Sequence, residues 1–222
     1  MLVIGNAGGT VARAYGHFYP STWIDGVEID GAVTEAGRRY LGLGDNPRLR
    51  VITADGRPFL ALTRHRYDLI VVDAYHQPYV PFYLATQEFF RLVRDHLLPG
   101  GIVALNVAAV PGDRGLTRAI GSTLASVFPS VWVWPALRFN DLLLATAGPT
   151  SRGELLRRSR AAPARLRSLL PLLRRELAPV AETEAPLTDD HAPVEWLTDR
   201  MLATQIARGR ALDDRALPTA PR

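Results

Sequence analysis

The chain has 222 residues, enough for one ordinary domain or one with an appendage, and 47% hydrophobic with 22% charged residues suits a protein that buries a core. It has no cysteine, which excludes disulfides, thiolate metal sites and a thiol nucleophile, and no apolar run near the roughly 20 residues of a membrane helix. All 26 basic residues are Arg; residues 1–150 hold 13 Arg against 12 acids, while 152–175 hold eight Arg and one Glu, which reads as a solvated helical face, with contact to nucleic acid or an anionic membrane as the alternative; no aromatic residue there offers a base-stacking platform.

Leu2-Val3-Ile4 is a short apolar run that ends in Gly5-Asn6-Ala7-Gly8-Gly9-Thr10. Val11, Ala14, Tyr15 and Phe18 follow at helical spacing, so the start reads as strand, glycine-rich turn and helix. A second run, Trp23 to Ile29, precedes a helical stretch at Ala32–Leu41. Arg50–Thr53 before Asp55-Gly56, and Leu69–Val72 before Asp73, read as further strands. A helix over Leu84–Leu97 stops at Leu98-Pro99-Gly100-Gly101, and Ile102–Val107 reads as the next strand. Buried runs alternating with amphipathic helices indicate a parallel sheet covered on both faces. Val131–Trp134 and Leu142–Ala145 are joined by a loop too short for a crossover helix, so these two strands pair antiparallel. The expected fold class is therefore α/β, Rossmann-like, with a mostly parallel seven-stranded sheet ending in an antiparallel hairpin. That arrangement belongs to class I S-adenosylmethionine-dependent methyltransferases and their relatives. The expected division is a nucleoside-binding catalytic domain over 1–149, an Arg/Leu/Pro-rich helical extension over 150–210 with its best helix at 190–208, and a disordered tail over 211–222.

Four clusters carry chemistry. Gly5, Asn6, Ala7, Gly8 and Gly9 form a small-residue turn that lets a ligand approach the backbone and a helix N-terminus, without the glycine spacing of the nicotinamide fingerprint. A tight strand–helix turn is the alternative use. Glu28, followed by Ile29, ends the second strand 23 positions after Gly5, where a carboxylate accepts from both ribose hydroxyls; Asp30 is better placed to cap the next helix. Asp55 and Gly56 end the third strand, where the carboxylate can accept from an adenine amino group or simply shape an Asp-Gly turn. Asp73, with Tyr75 and His76 after it, leads into a loop containing Tyr79, Pro81 and Tyr83, and a carboxylate beside aromatic faces suits a cationic amine. A capping Asp is the alternative there.

These residues and their order resemble the spermidine synthase (polyamine aminopropyltransferase) family. Leu2–Pro20, Val27–Asp30, Asp55–Leu60, Tyr67–Phe90 and Leu98–Asn106 follow its catalytic domain, and Thr188-Asp189-Asp190-His191-Ala192-Pro193-Val194-Glu195 is similar to a segment near the end of such proteins. The resemblance implies decarboxylated S-adenosylmethionine as co-substrate, with S-adenosylmethionine as the alternative and no metal. By it, Gly5 to Gly9 surround the aminopropyl–sulfur end, Glu28 and Ile29 hold the ribose end, Asp55 and Gly56 hold adenine, and Asp73, Tyr75 and His76 carry the catalytic step on a small-molecule polyamine. Methyl transfer from S-adenosylmethionine and non-catalytic nucleoside binding are the alternatives. Two departures stand out. His76 occupies the position of the family's second loop acid, and the chain starts inside the first strand, where the family has a preceding β-domain. A homodimer or an upstream domain is therefore expected as partner, with no nucleic acid, and a cytoplasmic location.

Overall fold

The computed structural model describes residues 1–76, 78–180 and 182–207. Its sheet is built from β1 (Leu2–Ile4), β2 (Ile24–Glu28), β3 (Leu49–Thr53), β4 (Tyr67–Val72), β5 (Leu97–Ala108), β6 (Ser130–Leu137), β7 (Asn140–Thr146) and β8 (Ala178–Pro179). The order is β3-β2-β1-β4-β5-β7-β6-β8. Strands β3 to β5 in that order run parallel, and β7 pairs antiparallel with both β5 and β6. The seven-stranded arrangement with its closing hairpin is present. The eighth strand is an addition: a two-residue piece containing Pro179, paired with β6, that no alternation pattern announces.

Strand order places the site. β1 pairs with β2 on one side and β4 on the other, so the chain reverses its direction of winding between them. A crevice opens beyond the carboxyl ends of strands at such a point. Gly5, Glu28, Asp55 and Asp73 all stand at or just past those ends.

Helices cover both faces: α1 (Thr10–Phe18), α2 (Gly31–Tyr40), α3 (Gly56–Leu62), α4 (Gln87–Asp95) and α5 (Gly115–Ala125). Asp30 caps α2 by accepting from Ala32 N at 2.7 Å. The helix expected over Leu84–Leu97 is divided. Phe82–Leu84 makes a 3₁₀ turn, and Thr86 then caps α4 through Phe89 N. A threonine whose side chain takes the first free N–H sets a new helix start. No helix is expected from the sequence at α3 or α5. In α5 nine of eleven residues are buried, many of them Gly, Ala, Ser or Thr, so no polar face marks its period.

After Gly148 come α6 (Arg152–Ser159), a 3₁₀ turn at Ala164–Leu169, α7 (Leu170–Glu176) and α8 (Val194–Ala207). The eight arginines of 152–175 are all exposed. The segment nonetheless docks on the sheet. Val180 N donates to Val131 O at 2.9 Å, and Leu187 and Val194 join the main core with Phe89, Phe90, Ile70 and Leu105. The helix expected over 190–208 begins only at Val194, because Thr188 and His191 first close a tight turn through paired backbone hydrogen bonds. The tail over 211–222 lies outside the described residues, as do 208–210 of the extension.

Candidate functional site

A cavity of about 600 Å³ lies at the crevice and is lined by Gly5, Ala7, Glu28, Ile29, Asp55, Gly56, Asp73, Tyr75 and His76. Nine of the residues singled out from sequence therefore meet on one surface. Asn6, Gly8 and Gly9 do not line it. Asn6 is buried behind the turn against Gly26, while Gly8 and Gly9 face Leu41 and Leu43. They shape the turn from behind.

Each acid is held by backbone or side-chain donors. Glu28, 8% exposed, accepts from Ala7 N at 2.8 Å and from Asp30 N at 3.0 Å, one bond per oxygen. The first glycine is compulsory for this geometry: Gly5 has φ +85°, and an added Cβ would stand 2.4 Å from the carbonyl oxygen of Asp73. Asp55 caps α3 through Arg57 N at 3.0 Å and accepts the Tyr83 hydroxyl at 3.2 Å. Burial pushes the Tyr83 phenol up, and the charge and hydrogen bond of Asp55 push it further, so it stays a donor. Next to Asp55, Gly56 sits against the Ile4 side chain with no room for a Cβ.

Asp73 begins where β4 stops. Its Oδ1 accepts from Asn106 Nδ2 at 3.0 Å, and Asn106 Oδ1 accepts from Asn140 Nδ2 at 2.8 Å. Among the described residues Asp73 Oδ2 takes no hydrogen bond, which leaves that oxygen for an incoming N–H. Tyr75 turns its hydroxyl to the carbonyl of Asn106 at 2.8 Å and offers the cavity its ring; burial first, then the charge of Asp73, raises its phenol above the ordinary range. His76 is exposed at the rim and pairs with Tyr79 through the backbone alone. Tyr79 itself points away and donates to Asp199 at 2.8 Å. Asn106 and Asn140 are the residues that sequence reasoning missed. The available signal was an asparagine inside the apolar run Ile102–Val107, since a polar side chain in such a strand needs a defined partner.

The cavity thus presents three carboxylates and, among the described lining residues, no arginine. Ile29 and Val33 add an apolar wall, and Ile29 is 63% exposed. No cluster of metal-ligating side chains exists among the described residues.

The sheet order, the hairpin and the acid at the end of β2 define the Rossmann-like class I methyltransferase fold. Human methyltransferase-like protein 13, solved in complex with SAH, is similar at 29% identity and a TM-score of 0.62, covering 77% of this chain and 81% of that one. The spermine/spermidine synthase domain model matches residues 1–135, and the chain belongs to that family. A probable polyamine aminopropyl transferase of Bifidobacterium longum is 40% identical over 129 residues, which is 57% of this chain and 28% of that protein. A probable spermidine synthase structure from Corynebacterium glutamicum covers 99% of this chain and 74% of its own, with a TM-score of 0.64 at 19% identity, a likeness of fold. The chain spans well under half the length of the curated relatives that it matches first.

Proposed function

We propose that the cavity binds decarboxylated S-adenosylmethionine and transfers its aminopropyl group to the primary amine of a small acceptor. The observation that carries this reading is the charge of the lining: Glu28, Asp55 and Asp73 with no arginine among the described lining residues. Decarboxylated donor and amine acceptor are both cations. Intact S-adenosylmethionine adds a carboxylate, for which the described lining residues supply no arginine or lysine. In this reading Glu28 accepts the ribose hydroxyls, Ile29 and Val33 cover the adenine face, and Asp55 with Gly56 marks its amino edge. Asp73, oriented by Asn106, holds the acceptor nitrogen. Asp73 Oδ2 takes a proton from the acceptor ammonium, the neutral amine attacks the aminopropyl carbon bonded to sulfur, and the C–S pair leaves on sulfur as neutral methylthioadenosine while the product nitrogen keeps the positive charge as a secondary ammonium. Alignment of the two substrates supplies much of the acceleration, and a positioned base supplies part of the rest.

The likeness to methyltransferase-like protein 13 favours a second reading, methyl transfer from S-adenosylmethionine to an amine. Calorimetric titration with methylthioadenosine, decarboxylated S-adenosylmethionine and S-adenosylmethionine separates the two. The expected result is methylthioadenosine binding, with the decarboxylated donor held about tenfold or more tightly over the intact one, the scale of one unpaired charge. Preference for S-adenosylmethionine would overturn the aminopropyl reading.

A further inference from the structure

A second cavity of about 560 Å³ adjoins the first, and Asn140 lines both. Its body is apolar: Val110 and Pro111 from the loop after β5, Leu137 and Phe139 from the β6–β7 turn, and Leu172 from α7. Its charge is the reverse of its neighbour's. Arg114, Arg138 and Arg175 line it with two acids, and both acids are already engaged. Asp141, 1% exposed, accepts the Thr117 hydroxyl at 2.9 Å and lies 3.5 Å from Arg114. Glu176 lies 2.6 Å from Arg175. Arg138 stacks on the Phe139 ring, 5.2 Å from its centroid, and among the described residues no carboxylate pairs with it.

Asn140 stands at the junction with one group spent and one to spare. Its Nδ2 donates toward Asn106, in the relay that orients Asp73, while its Oδ1 accepts nothing among the described residues. An amine lying between the cavities would therefore meet two acceptors, Asp73 Oδ2 and Asn140 Oδ1. Beyond them the same molecule would run along apolar walls to the arginines. A second ammonium at that far end would meet net positive charge, whereas a carboxylate there would meet Arg138.

We propose that this second cavity receives the far end of the acceptor and is built for an anionic group, so that the preferred acceptor is an amine with an acid at its other end, not a diamine. The proposal rests on the reading that an amine attacks beside Asp73. The test compares 6-aminohexanoate, hexylamine and 1,6-diaminohexane, which share the amine and the stem and differ at the far end. Each is titrated into the full chain, with and without saturating methylthioadenosine, while backbone amide NMR shifts are followed. Expected is the affinity order aminohexanoate, hexylamine, diamine, in steps of about threefold, the scale of one partly exposed charge contact. Shifts should centre on Val110, Leu137 and Phe139. Arg138→Glu should invert the order. Arg165→Glu, the same charge change on an exposed arginine that lines neither cavity, should preserve it. Equal affinities, tighter binding of the diamine, no shifts at Val110 and Leu137, or the same inversion in Arg165→Glu would each overturn the proposal. Failure of methylthioadenosine to shift Glu28 and Ala7 overturns the nucleoside reading instead, and the two failures are read from different residues.

Discussion

Glu28 is a carboxylate set in place before any ligand arrives. One oxygen is tied to Ala7 N and the other to Asp30 N, and the residue is nearly buried, so little side-chain entropy remains to be lost on binding. The lone pairs left over face the cavity, where two ribose hydroxyls can be accepted. Glu28→Ala should weaken methylthioadenosine binding by about 1.5–3 kcal/mol, the worth of hydrogen bonds to a charged group. Isothermal titration reads this directly, and unchanged affinity would remove the ribose assignment. His76 is the opposite kind of residue. Its ring is exposed at the rim and its backbone alone is fixed, whereas the Asp73 side chain is held by Asn106.

Between elements, the wall that carries Tyr83 is held by one ion pair. Arg57, in the first turn of α3, donates to both oxygens of Asp189 at 2.8 and 2.6 Å and to the Tyr83 carbonyl at 2.9 Å. Asp189 also accepts the Thr86 hydroxyl at 2.7 Å, and its N–H reaches Glu88 at 3.1 Å. The turn before α8 thereby ties α3, the 3₁₀ turn and α4 together, and Tyr83 in turn reaches Asp55. Asp189→Asn should cost about 1 kcal/mol of stability, a figure discounted because the Asp189 side chain is 42% exposed. It should also weaken methylthioadenosine about two- to fivefold by loosening Tyr83, on the scale of such a surface-exposed pair. Urea denaturation and the same titration check both; lost stability with unchanged affinity would make the pair a brace for the fold alone.

Across the whole molecule, the sheet has a functional end and a stabilising end. At the end opposite the cavity Asp25 of β2 accepts two bonds from Arg50 of β3, each 2.8 Å, and the Tyr67 hydroxyl of β4 at 2.8 Å. Burial pushes the Asp25 carboxyl up, but the bonds from Arg50, Tyr67 and His65 outweigh it and hold the group below the ordinary carboxylate range. Asp189 is lowered as well, chiefly by Arg57. A carboxylate whose folded pKa lies below its unfolded value of about 3.9 stabilises the fold above that value and loses the contribution as pH falls through the folded one. Stability should therefore hold from neutral pH down to about 4 and then drop, on the same carboxylate scale. Asp25→Asn should lower it by about 2 kcal/mol at neutral pH and flatten the acid limb, as removal of a charged hydrogen-bonding group does. Urea midpoints measured from neutral to acid pH decide this, and an acid limb of unaltered depth would place the titrating groups elsewhere.

Local pattern determined the strands, the glycine turn, the antiparallel hairpin and the acids at strand ends, because each is written in contiguous residues: an apolar run sets a buried strand, and the residue after it stands at the sheet's carboxyl edge. Gly5, Glu28, Asp55 and Asp73 were legible for that reason. Helix α5 was not, since burial on every side erases the polar face that marks a period, and β8 was not, since two exposed residues acquire strand geometry only by meeting β6. The Asn140–Asn106–Asp73 relay and the Arg57–Asp189 pair join residues 33 to 132 positions apart. No spacing rule connects such partners. They are chosen by the order in which strands lie in the sheet, and only the tertiary structure decides which distant side chain fills the last hydrogen bond of a buried acid.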